Sequence, residues 1–172
     1  MFSFALLSLF TSQASAIPLA GAPANALVIS EIMHNPDVVV DYRGEYIEIH
    51  NRHSQDIDLN GLSVVSSNEA GFTVNSSVTV AAGGYVVLGT RSNSAVNGGA
   101  TVDYQYNYGT FKLYNNETLS ISNGGTTFDT VVYNASTYQL EAGVALILDN
   151  SSLDSTSNDD ADNWCVSSNV FG

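Results

Sequence analysis

The chain alternates between apolar and polar positions over short stretches. Between Gly44 and Asn51, Glu45, Ile47, Ile49 and Asn51 fall on one face of an extended backbone, and Tyr46, Glu48 and His50 fall on the other. A helix needs apolar residues three and four apart, which this stretch does not supply. The pattern predicts a strand whose Ile47 and Ile49 face a core, with Glu48 and His50 near water or in a polar pocket. Gly44 and Asn51 bound it as turn positions, since both types tolerate a left-handed backbone.

The same reading extends along the chain. Residues 27–33 predict a first strand, with Leu27, Ile29 and Glu31 on one side and Val28, Ser30 and Ile32 on the other. Pro36 cannot donate to a ladder and ends it. In the connection 37–43, Val38-Val39-Val40 reads as a short edge piece. Strands follow at 56–66, with a bend at Gly61, then at 71–74, at 78–80 ahead of the Gly83-Gly84 turn, and at 85–89. Residues 91–99 are rich in Ser, Asn and Gly and predict a long loop. Residues 103–108 alternate fully, placing Tyr104, Tyr106 and Tyr108 on one face. A short strand at 111–114 is followed by strands at 118–122 and 126–133 flanking Asn123-Gly124-Gly125, a hairpin signal. The last strand is 144–148. Many short strands without sustained 3.6-residue periodicity predict an all-β sandwich. Its core is expected to hold Ile47, Ile49, Leu59, Val87, Leu119, Ile121 and Trp164.

Five segments in order carry a resemblance. They are Ile29-Ser30-Glu31-Ile32-Met33 with Asn35-Pro36, then Gly44-Glu45-Tyr46-Ile47-Glu48-Ile49, then Ile57-Asp58-Leu59-Asn60-Gly61-Leu62. Ala82-Gly83-Gly84-Tyr85-Val86-Val87-Leu88 and Leu119-Ser120-Ile121-Ser122-Asn123-Gly124-Gly125 complete the series. The succession resembles the lamin-tail domain, in particular its bacterial secreted branch, over residues 27–133. The resemblance implies an immunoglobulin-like β-sandwich and a non-catalytic binding or targeting module. Such domains look like accessory modules in extracellular bacterial proteins, sometimes beside nucleases, phosphatases or other hydrolases. The family's polar closing loop after the last strand matches Leu146-Ile147-Leu148-Asp149 and Asn163-Trp164, which implies that Trp164 anchors that loop. Family members normally continue further, often with a second cysteine, where Cys165 would find a disulfide partner.

Charge narrows the function. Four basic residues (Arg43, Arg52, Arg91 and Lys112) face 17 acidic ones in 172 residues, a net charge of −13. Phosphate binding needs clustered Lys and Arg, so a nucleic-acid partner is not expected. Residues 1–16 read as a secretory signal peptide, with a short apolar run and an A-x-A site at Ala14-Ser15-Ala16, although no Lys or Arg precedes the run. Cleavage there leaves Ile17 first. Residues 17–26, with Pro18 and Pro23, read as a linker or weakly ordered arm, and 27–172 as the sandwich domain. No stretch is apolar for the roughly 18 residues a membrane helix needs, and the expected location is extracellular. The single Cys165 excludes an internal disulfide and leaves a free thiol, a dimer or an outside partner.

Candidate chemistry is sparse. There is no Gly-x-Ser-x-Gly, and Glu45 and Glu48 lie on opposite faces of one strand, so no catalytic residue is assigned. His34, His50 and His53 with nearby carboxylates offer a zinc reading against a reading as ordinary loop and strand-end histidines. Tyr104, Tyr106 and Tyr108 offer a platform for sugar rings or a protein partner, against core packing. In the loop 149–164, Asp154, Asn158, Asp159, Asp160 and Asp162 offer oxygen ligands for calcium, against a solvated loop. The expected function is a secreted binding module for a protein or surface glycan. Its alternatives are an accessory domain or fragment of an extracellular hydrolase and a calcium-dependent adhesion module. Oligomeric state is left open.

Overall fold

The computed structural model describes residues 15–138 and 140–167. The expected signal peptide lies outside these apart from Ser15 and Ala16. Thirteen strands are found among the described residues: β1 (Ile17–Pro18), β2 (Leu27–Met33), β3 (Tyr46–Asn51), β4 (Ile57–Asp58), β5 (Ser63–Ser66), β6 (Phe72–Thr73), β7 (Thr79–Val80), β8 (Tyr85–Gly89), β9 (Tyr104–Gln105), β10 (Asn116–Ser122), β11 (Thr127–Asn134), β12 (Leu146–Leu148) and β13 (Trp164–Val166). One sheet runs β13-β12-β2-β3-β8-β9, a second β11-β10-β5-β6, and a small third β1-β4-β7. The first two share one apolar core. Ile29, Ile47 and Ile49 of the six-stranded sheet pack in the same cluster as Val64, Leu119, Ile121 and Val131 of the four-stranded sheet. This is the expected all-β sandwich.

Alternation on β3 places Ile47 and Ile49 in the core as predicted. Leu59, Leu119, Ile121 and Trp164 are buried there as well. Val87 is a correction. Val86 and Leu88 pair with Ile49 and Ile47 and share their burial. Val87 points to the outer face, where it packs on Met33, Tyr46 and Ala145. The run Tyr85-Val86-Val87-Leu88 is apolar at every position, so nothing in it marks the inward face. In β2 the alternation breaks. Ile29 pairs with Ile49 and Glu31 with Glu48, which leaves Ser30 as an inserted residue. This β-bulge returns Ile32 to the core side with Ile29.

Other expectations change for local reasons. Residues 17–26 are not a loose arm: β1 pairs in parallel with β4, and Leu19, Ala22 and Ala26 are buried. Val38-Val39-Val40 forms no edge strand and leads into a single helical turn, α1 (Asp41–Gly44). Gly44 is needed for close approach, since a Cβ there would lie 2.7 Å from Val39 Cγ2 and 2.8 Å from Pro36. Asn51 stays in its strand, with Nδ2 2.9–3.1 Å from the carbonyl oxygens of Gln55, Val80 and Ala81. Of the stretch 103–108, only Tyr104–Gln105 is strand.

A buried polar contact joins the two large sheets. Asp129 Oδ2 of β11 accepts from Ile29 N of β2 at 2.7 Å and from Asn158 Nδ2 at 2.6 Å. Asn158 Nδ2 also lies 3.4 Å from Ile29 O. Both side chains are buried. Asp129→Ala should lower unfolding free energy by about 3 kcal/mol, because it strands a buried N–H and a buried amide. Urea denaturation checks this; a loss below about 0.5 kcal/mol would mean that apolar packing alone holds the sheets together.

Candidate functional site

The loop leading into α1 exposes what the rest of the fold hides. Alternation along Val38-Val39-Val40 tucks Val39 beside Gly44 and turns its neighbours out, so Val38 is 70% and Val40 53% exposed. Tyr42 on α1 is 41% exposed. Its ring meets the Tyr108 ring edge-on, with centroids 6.3 Å apart. The Arg43 guanidinium lies 5.4 Å and that of Arg91 5.9 Å from the Tyr42 centroid, and the Lys112 ammonium lies 5.3 Å from that of Tyr108. Three of the chain's four basic residues therefore surround one aromatic pair. Each such contact contributes roughly 0.5–1 kcal/mol at an exposed site and holds the cation in place.

The tyrosines of the predicted platform separate. Tyr106 is buried, stacked on Phe72 at 4.6 Å and edge-on to Phe111 at 5.4 Å. Tyr104 stacks on Phe72 at 6.1 Å and donates its hydroxyl to Thr73 O. Of the three, only half-buried Tyr108 meets the exposed Tyr42. The backbone leaves the strand after Gln105 and turns at Asn107, whose carbonyl accepts from Thr110 N and Phe111 N, so the alternation does not translate into one face. Sequence reasoning passed over Tyr42 and its cations. The available signal was the apolar run Val38-Val39-Val40 followed, after Asp41, by Tyr42-Arg43.

The acidic loop uses part of its oxygen to fold itself. Asp154 Oδ1 accepts from Thr156 N and Ser157 N, and Oδ2 from the Ser157 hydroxyl. Asp160 Oδ1 accepts from Asp162 N. Asn158 is in the interior on Asp129, and its carbonyl accepts from Trp164 Nε1 at 2.8 Å, so Trp164 does pin this loop. Asp159 and Asp162 are exposed. Among the described residues no group of three or more His, Cys, Asp or Glu side chains is placed to hold a metal ion. The histidines serve locally. Burial lowers the affinity of His34 and His50 for a proton, the His50 ring packs at a tilt against Tyr85 with centroids 4.5 Å apart, and His53 Nδ1 accepts from Gln55 N.

Buried carboxylates were the least expected feature. Glu45 Oε2 accepts from Leu113 N at 3.0 Å, and burial pushes its pKa up to about 8. Glu117 Oε2 accepts from Tyr114 N at 2.8 Å, and burial raises it too. On the outer face, Glu31 and Glu48 stand opposite each other across β2 and β3, both raised by burial, and accept from the Tyr46 and Ser30 hydroxyls respectively. Glu45 and Glu117 are only 2% and 4% exposed, so they face packed protein and not a substrate.

Two outcomes are expected. Between pH 6.5 and 8 the folded chain holds a proton on Glu45 that the unfolded chain, with an ordinary value of 4.5, has released. Stability therefore falls as pH rises through this window, and Glu45→Gln should flatten the dependence of Tm on pH. Below 6.5 the depressed His34 and His50 oppose further gain, since the unfolded chain then binds the extra protons. An unchanged slope in Glu45→Gln would move the effect from Glu45 to the other carboxylates raised by burial, Glu31, Glu48, Glu117 and Asp129, or to net charge. Separately, Asp154→Ala should lower Tm by roughly 2–4 °C through its lost turn hydrogen bonds, equally in chelator and in calcium. A loss seen only with calcium present would restore the metal reading of this loop.

A family model described as Lamin Tail Domain matches residues 20–161. No curated protein and no solved structure gives a significant match.

Proposed function

The chain belongs to the lamin tail domain family, and from that premise we propose a secreted, non-catalytic module of the bacterial extracellular type that binds another protein through the Tyr42–Tyr108 tip. The family's immunoglobulin-like domain often mediates protein interaction. The observation that carries the reading is the gathering of Arg43, Arg91 and Lys112 on two tyrosine rings in a chain of net charge −13. Tyr and Arg are the residues that dominate protein interfaces, and rings that pre-order the cations reduce the entropy lost on binding. Exposed Val38 and Val40 add apolar area that the fold itself does not use. Mixed charge at this tip, with Asp37 and Asp41 exposed beside the cations, suits a protein surface better than a uniform polyanion.

Support for secretion comes from the start of the fold. Ile17 N donates to Asp56 O at 2.9 Å, immediately after the A-x-A site, so cleavage after Ala16 leaves β1 intact. Among the described residues no helix is long and apolar enough to cross a membrane.

A photo-crosslinking residue at Val38, 70% exposed in the loop leading into α1, with a second variant carrying it at Tyr85 on another exposed face, tests the surface against the surface proteins of the producing cells. Position 38 should give a discrete protein adduct that is lost in Arg43→Glu/Lys112→Glu, whose Tm falls by no more than about 4 °C through the lost ring contacts. Equal adducts from both positions, or none from position 38, would remove the tip as the binding surface. Intact mass of the exported protein should correspond to a chain beginning at Ile17.

A further inference from the structure

The open side of the sandwich carries a groove that the tip reading does not use. β11 ends the four-stranded sheet and β13 the six-stranded sheet, and neither has a ladder partner on its outer side among the described residues. Two adjoining cavities, of about 310 Å³ and about 540 Å³, lie between them and share Thr137, Tyr138, Ala161 and Asp162 as walls. The smaller one touches Trp164, Cys165 and Val166 in succession. Successive side chains of a strand point to opposite faces, so a cavity that meets three in a row lies against the strand's edge. The larger one touches Val132 and Asn134, two apart, and so lies on a face of β11, where Val132 is 57% exposed. The Tyr138 and Trp164 rings meet edge-on at 6.3 Å beneath the groove. Asp159, Asp160 and Asp162 stand along its wall, and the carboxylates of Asp159 and Asp162 accept no hydrogen bond among the described residues.

We infer that this groove takes an extended, lysine- or arginine-bearing segment of a partner protein, added as a strand to the outer edge of β13 (Trp164–Val166). The edge offers the outward N–H of Val166 and the carbonyls of Trp164 and Val166, since Trp164 N–H is already given to Ala161 O, and the rims of the largely buried Tyr138 and Trp164 rings form the floor. The aspartates select a basic segment over an acidic one, since every second side chain of an added strand faces the same wall. The occupant is chosen by charge: the wall is carboxylate, and the chain's four basic residues include none that lines the groove. The inference shares with the tip reading the premise of a protein-binding module, and it uses separate residues.

The probe is a fluorescein-labelled octapeptide of alternating valine and lysine, with a counterpart carrying glutamate for every lysine. Measurements are made at about 0.15 M salt, where charges beyond about 8 Å are screened. Only the lysine peptide should bind. Amide exchange at Val166, the β13 residue whose N–H faces the open edge while Trp164 N–H is given to Ala161 O and Cys165 pairs with Ile147, should slow at least tenfold on its addition, while Tyr104–Gln105, on the opposite edge of the same sheet, keeps its rate. Asp159→Asn/Asp162→Asn should weaken binding at least tenfold with Tm unchanged, since neither carboxylate holds the loop together. Arg43→Glu/Lys112→Glu, which disables the tip, should leave peptide binding intact. Equal binding of the two peptides, no binding, protection at Tyr104–Gln105 instead, or an affinity unaffected by the aspartate pair would each overturn the inference.

Discussion

Where β12 leaves β2, the backbone N–H and C=O of Ile29 would be left inside the protein without partners. β12 pairs only with Glu31 and Ile32, so the ladder stops short of them. Asp129 accepts from the N–H and Asn158 lies against the C=O, and the two side chains also bond to each other. An unmet backbone group in the interior costs about 1–3 kcal/mol, so this pair is what allows β2 to continue past its neighbour. It also fixes more than β2. Asp129 belongs to the opposite sheet, and Asn158 belongs to the acidic loop whose carbonyl receives Trp164. One carboxylate thus sets the relation of the two sheets and the position of the loop that closes them. Burial pushes its pKa up to about 6 despite three donors, so a charge is kept there only against the pull of desolvation.

The same tension recurs at Glu45, Glu117, Glu31 and Glu48. A chain with 17 acidic and four basic residues cannot answer every buried carboxylate with a cation. It answers them with hydrogen bonds: Leu113 N for Glu45, Tyr114 N for Glu117, Tyr46 Oη for Glu31 and Ser30 Oγ for Glu48. Such donors lower the cost of burial without cancelling the repulsion between neighbouring carboxylates. Three of the few cations are held on the Tyr42 and Tyr108 rings, and of these Lys112, next to Leu113, also acts on buried Glu45 and lowers its affinity for a proton.

Much of the fold could be read from the sequence because its strands are half-buried. β10 and β11 show their inward faces by alternation, and Leu119 and Ile121 follow; β3 is covered on both faces, and its inward Ile47 and Ile49 are legible because polar Glu48 and His50 stand on the other side. Alternation fails where both faces are covered, as at Val87, and where a residue is inserted, as at Ser30. It also misleads where the backbone leaves the strand, as after Gln105. The tip was harder to read, because it depends on residues brought together by the fold: Tyr42 with Tyr108, and Arg91 with Arg43. Nothing local to any of them announces the others. Asp129 was invisible for the same reason, since its partners lie 100 and 29 residues away.

The acidic loop shows how a structural demand can create a binding surface. Asn158 must point inward to meet Asp129 and Ile29, and it does so within a short 3-10 turn, Ser157–Asp159. With Asn158 committed inward, the next residue, Asp159, turns outward. Asp160 is spent on the backbone of Asp162, which begins the following turn, Ala161–Asn163, and delivers Trp164 to the floor. The carboxylates of Asp159 and Asp162 take no part in the hydrogen bonds that Asp154, Asn158 and Asp160 make within the loop. They stand at the wall of a groove whose floor is built by the same Trp164 that anchors the loop. Anchor and rim are therefore one device, and a change at Asn158 would move the groove as well as loosen the fold.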